Sequence, residues 1–124
     1  MPLTQDQTAM LQLLLERGRG YPELATMLGV DETEVRARAR AALTELAGAD
    51  PDRAVALTDY LLGQADPIGR ADAVRHLRES PDDYRLAEEV LGDLRATFPG
   101  AELPRLPGEP RPGRFLRRPP AAPP

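Results

Sequence analysis

Arg36, Arg38 and Arg40 stand at alternate positions in the stretch ETEVRARARAAL, separated by alanines. Wound into a helix, Thr33, Ala37, Ala41 and Thr44 line up three to four residues apart as an outward ridge of small side chains. Arg36 and Arg40 flank the ridge on one side, Glu34 and Arg38 on the other. Guanidinium groups bind phosphate oxygens and guanine edges, and alanine or threonine can touch a thymine methyl, so these are the residue types of a helix that enters a DNA groove. One feature opposes this. The helix opens on Asp31, Glu32 and Glu34, where a phosphate backbone would have to approach, and a like-charge contact there costs on the order of 1 kcal/mol.

A second constellation is His76, Ser80 and Asp83, with three and two residues between them. Structural zinc takes four ligands dominated by thiolate and imidazole, and the chain has no cysteine, so no metal and no other cofactor is expected. Ser80 reads as the N-cap before Pro81, Asp83 as a first-turn acid favoured by the helix dipole, and His76 as a partly buried polar residue at a helix end. Catalysis finds little support. Ser80 and His76 are the single serine and histidine, and the pairs Asp82-Asp83 and Glu88-Glu89 diverge on a helix and read as solvated faces. The chain is not expected to be an enzyme or to take a small-molecule substrate.

The elements that must position these residues are marked by unusually clear punctuation. Thr4 with Gln7 forms a capping box for a first helix that stops at Gly18. Tyr21-Pro22 opens a second, closed by Gly29, and Asp31 with Glu34 forms a capping box for a third that runs to about Leu46 and stops at Gly48. Asp50-Pro51, Asp66-Pro67 and Ser80-Pro81 each place a capping side chain before a proline, which predicts helices over 51–63, 67–79 and 81–98. Their apolar faces are Val55, Thr58, Leu61 and Leu62; then Ile68, Ala71, Val74 and Leu77; then Tyr84, Ala87, Leu91, Leu94 and Phe98. In the third helix Val35, Ala39, Ala42, Leu43 and Leu46 face inward, toward Leu24, Leu28 and the leucines of the first.

The fold class is all-α: a three-helix unit (1–48), a three-helix bundle (50–98) and a disordered tail rich in proline and arginine (99–124). The 124 residues carry 16 arginines, no lysine and 20 acids, for a net charge of −4. Acids outnumber arginines up to residue 100 and the order reverses beyond it, which disfavours non-specific DNA binding by the folded part. The lack of cysteine and of a signal or spanning segment fits a cytoplasmic location. Arg111, Arg114, Arg117 and Arg118 would lie beside an anionic membrane only if a longer natural chain continued into a span.

Residues 3–46 resemble the promoter-reading region four of bacterial sigma factors and its LuxR-type cousins. The likeness rests on Tyr21 at the start of the scaffold helix, Glu23-Leu24-Ala25 after it, the turn Leu28-Gly29-Val30 and the inward Val35. It implies a helix-turn-helix whose groove-facing positions are Thr33, Glu34, Arg36, Ala37, Arg38 and Arg40. The chain departs from that pattern at Ala41, Ala42 and Thr44, where more basic residues are usual, and it lacks the sigma domain that melts promoter DNA. Residues 54–98 resemble the zinc-type anti-sigma domain, through Tyr60-Leu61-Leu62-Gly63-Gln64 and then His76, with Ser80 and Asp83 in place of both cysteines. Together these imply a transcription regulator that contacts DNA, with the bundle controlling it. The alternative is an interaction module without DNA activity, whose partner is a sigma factor, RNA polymerase or a second copy.

Overall fold

The computed structural model describes residues 3–107, and among these it is all-helical. Six helices follow in order: α1 (Gln5–Leu15), α2 (Tyr21–Leu28), α3 (Glu32–Ala47), α4 (Leu57–Leu61), α5 (Pro67–Glu79) and α6 (Pro81–Thr97).

Local chemistry accounts for most of the boundaries. Thr4 and Gln7 exchange both capping-box bonds at 3.0 Å, so α1 starts where the sequence places it, although it ends at Leu15 rather than at Gly18. Asp31 accepts from the Glu34 amide at 2.8 Å, but the reciprocal half of that capping box is not made, because the Glu34 carboxylate holds Arg38 at 2.8 Å instead. Asp66 and Ser80 cap α5 and α6 as expected. Gly29 and Gly48 end α2 and α3 with φ of 71° and 73°, the left-handed conformation that an L side chain adopts only under strain. A Cβ at Gly29 would meet nothing within 4 Å, so Gly29→Ala is expected to cost about 1 kcal/mol from the backbone alone, read as a lower urea midpoint with an unchanged slope.

The fourth helix is the main departure. Residues 51–56 form turns, and α4 covers only Leu57–Leu61 rather than 51–63. Asp50 is not free to cap a helix here. It accepts from the Asp52 amide two residues on and pairs with Arg40, while Asp52 accepts from the Thr58 amide at 2.8 Å and so resets the helix start six residues later.

One buried cluster runs from Met10 and Leu11 of α1 through Leu24, Val35, Ala39, Ala42 and Leu43 to Leu57, Leu61, Leu77, Val90, Leu94 and Phe98. The α6 stripe of Tyr84, Ala87, Leu91, Leu94 and Phe98 is buried throughout. Of the expected α5 stripe, Leu77 is buried and Val74 packs against the core, but Ile68 is 75% exposed and Ala71 is exposed, and Ala73 is buried instead. Leu28, expected to face inward, is also exposed. Ile68 and Leu28 lie in a first and a last turn, where few neighbours surround the helix and its apolar periodicity says little about which face is covered.

The expectation of a disordered segment from residue 99 is corrected for 99–107. Gly100 donates to Glu16 Oε2 at 3.0 Å and Glu102 to the Leu15 carbonyl at 3.3 Å, and Ala101, Leu103 and Leu106 pack against the core. Residues 108–124, including the four tail arginines expected near a membrane, lie outside the described residues. No helix among the described residues is long and apolar enough to cross a membrane.

Candidate nucleic-acid interface

α2, the turn at Gly29 and α3 place Thr33, Glu34, Arg36, Ala37, Arg38 and Arg40 on the exposed side of α3, with Ala41 continuing the ridge. Val35, Ala39, Ala42 and Leu43 anchor the opposite face, all fully buried. The small-residue ridge therefore points outward with its arginines beside it.

Each arginine already has a carboxylate. Arg38 pairs with Glu34 one turn earlier on its own helix, an exposed contact of small energetic weight. The other two reach outside the three-helix unit. Arg36 Nε lies 3.2 Å from Asp59 Oδ2 of α4, and its guanidinium stacks over the Tyr21 ring, 5.3 Å from the centroid. Arg40 makes a two-pronged pair with Asp50 and lies 3.9 Å from Asp52. The hydrogen bond from Arg40, with a further one from the Asp52 amide, holds the Asp50 carboxyl down at about 2.

Asp59 is the hinge of this arrangement. Its Oδ1 accepts from the Tyr21 hydroxyl at 2.8 Å while Oδ2 faces Arg36. Burial, with Asp59 alongside, pushes the Tyr21 phenol well above its ordinary range, so it stays a donor at any working pH. Gln64 adds a second stitch: its Oε1 accepts from the Tyr21 amide at 3.1 Å and its Nε2 donates to the Arg19 carbonyl at 3.3 Å. The start of α2 and one flank of α3 are thereby fastened to α4 and the 50–52 connector. Sequence reasoning missed Asp50, Asp52, Asp59 and Gln64 as partners. The available signal was the run of acids following a helix of arginines, but pairs separated by ten or more residues have no periodicity to betray them.

His76, Ser80 and Asp83 also converge. Asp83, expected as a solvated first-turn acid, is 5% exposed. It accepts from His76 Nε2 at 2.6 Å on one oxygen and from Arg53 on the other, and its amide donates to Ser80 Oγ at 3.2 Å. Burial pushes its carboxyl up, but the hydrogen bonds from His76 and Arg53 outweigh that and leave it below the usual carboxylate range. Both carboxylate oxygens are engaged within the protein. Among the described residues, no cluster of three or more His, Cys, Asp or Glu side chains is placed to hold a metal ion.

No family model matches this sequence, and no curated protein or solved structure matches it either.

Proposed function

We propose that this chain is a transcription-regulatory module in which a sigma-like helix-turn-helix is restrained by its own anti-sigma-like bundle. The observation that carries the reading is that Arg36 and Arg40, two of the DNA-directed residues, are paired with Asp59 and Asp50 from outside the helix-turn-helix. An α-helix about 10–12 Å across fills a major groove about 12 Å wide, so the flanks of α3 must be clear when it enters. Here one flank is held against α4 and the connector. Phosphates would have to displace Asp50, Asp52 and Asp59 from the arginines, and the displaced carboxylates would then repel the phosphate backbone. The exposed ridge of Thr33, Ala37 and Ala41 supports DNA as the target. A cytoplasmic site of action belongs to the same reading.

Fluorescence anisotropy with random-sequence duplex tests it. The wild-type chain is expected to bind weakly, and the Asp50→Asn/Asp52→Asn/Asp59→Asn variant at least about tenfold more tightly at low salt, with affinity falling steeply as salt rises. Asparagine keeps the acceptors that Tyr21 and the Asp52 and Thr58 amides use, so the fold is preserved. Adding Arg36→Ala and Arg40→Ala should abolish the gain. A triple variant that binds no better than wild type sinks the reading, and so does a gain that survives loss of both arginines.

The second reading, a docking module without DNA activity, draws on Asp31, Glu32 and Glu34 at the exposed start of α3 and on Met27 and Leu28, exposed by 57% and 45%. Its partner would be a sigma factor, RNA polymerase or a second copy, held by apolar contact and insensitive to salt.

A further inference from the structure

The segment after α6 has the chemistry of a bound ligand. It leaves the helix at Phe98, and by Pro107 it is beside Tyr84, in the first turn of the same helix. The return along α6 spans about 21 Å at 1.5 Å per residue. The Ala101 amide closes a turn on the Phe98 carbonyl at 2.9 Å, and residues 101–107 beyond it form neither helix nor strand.

Its burial repeats every three residues. Glu102 and Arg105 are exposed, while Leu103-Pro104 and Leu106-Pro107 are partly buried. A three-residue period with prolines three apart is the signature of polyproline II, whose turn contains three residues. That conformation makes no internal hydrogen bonds and leaves its carbonyls seeking donors. Two tyrosines supply them: Tyr60 Oη donates to the Arg105 carbonyl at 3.1 Å and Tyr84 Oη to the Pro107 carbonyl at 3.0 Å. Burial of the Tyr60 side chain raises its phenol, so the donor stays protonated.

We propose that the face formed by Tyr60 of α4 and Tyr84 of α6 is a binding site for polyproline II peptides of the Leu-Pro-x-Leu-Pro type, occupied in cis by residues 103–107. Aromatic side chains that grip a proline-rich segment by its ring faces and donate to its carbonyls are a general solution for this ligand, because the pre-extended peptide loses little entropy on binding. The strap does not fill the site. A cleft of about 370 Å³ remains between it and the wall formed by Tyr84, Glu88, Leu91 and Arg95.

The test uses the full chain and a fluorescein-labelled peptide of residues 101–109, AELPRLPGE. In the wild type, the tethered strap competes at an effective concentration on the order of millimolar. Leu103→Asp with Leu106→Asp releases it, and the peptide is expected to bind the released chain at least about tenfold more tightly than the wild type. Tyr60→Phe with Tyr84→Phe in the released chain should weaken binding by about fivefold or more. Replacing both prolines of the peptide by alanine should weaken it by a similar factor. Equal binding to released and wild-type chains overturns the proposal, as does absence of binding to a released chain that keeps its helical circular dichroism, or indifference to the two prolines. If the released chain loses that signal, trypsin on the wild type decides. Cleavage after Arg105 should be at least about a hundredfold slower than in the free peptide, and several-fold faster again in the double phenylalanine variant. Equal rates in protein and peptide overturn the proposal.

Discussion

Asp83→Ala is expected to destabilise the protein by about 2–3 kcal/mol, among the largest effects available to a single polar substitution here. The carboxylate is almost wholly buried and joins three segments: His76 near the end of α5, Arg53 in the connector and the first turn of α6. Removing one member of a buried charged network leaves the others desolvated without a counter-charge. Arg53 is half exposed and can rehydrate, which keeps the loss below the upper end for buried pairs, whereas His76 is only 22% exposed and cannot readily do so. Asp83→Asn keeps the shape and one acceptor oxygen and should cost less. The pH dependence has a definite sign. The folded-state carboxyl lies below its unfolded value, so its contribution is fully present above the ordinary aspartate range near 4 and is lost as pH falls through the lowered folded value. Urea melts of wild type and Asp83→Asn, carried from neutral pH into that acid range, should therefore converge. A gap that stays constant with pH would show that the carboxylate's charge contributes nothing.

Leu43→Ala and Leu94→Ala are each expected to cost about 2–5 kcal/mol, because both side chains are fully buried and the surrounding helices cannot close over the cavity. Leu43 lies on α3, which packs against α1 and α2 on one side and against α4 and α6 on the other, and Leu94 lies on α6. The buried cluster passes through α3 from α1 and α2 to α4 and α6 without a break. Either substitution should consequently weaken both halves together. In native-state hydrogen exchange, the amides of Leu24 in α2 and Val90 in α6 are expected to lose protection by similar free energies in both variants. Loss confined to one half would mean that the helices before and after residue 49 open independently. That result would also bear on the proposed restraint of α3, since pairing at Asp50 and Asp59 is firm only if the helices on either side of residue 49 unfold as one.

Much of this protein was legible in its sequence. The caps at Thr4, Asp31, Asp66 and Ser80, the glycine stops at Gly29 and Gly48 and the stripe from Tyr84 to Phe98 each depend on neighbours within four residues, so type and spacing determine them. The inward face of α3, and with it the outward placement of Thr33, Ala37 and Arg40, follows from the same 3.6-residue period. The tertiary structure decided what long-range partners control. Asp50-Pro51 has the same local form as Asp66-Pro67, yet it starts no helix, because Arg40 and the Asp52 amide occupy its carboxylate. Asp83 looks like an ordinary first-turn acid until His76 and Arg53 close over it. The arginines of α3 look free to meet phosphate until Asp59 and Asp50 are brought beside them, and residues 103–107 look like linker until Tyr60 and Tyr84 take hold of their carbonyls. Local periodicity encodes which face of a helix is apolar. Which charge meets which, and where an extended segment comes to rest, depends on how the helices are packed, and no short-range pattern in the sequence records that.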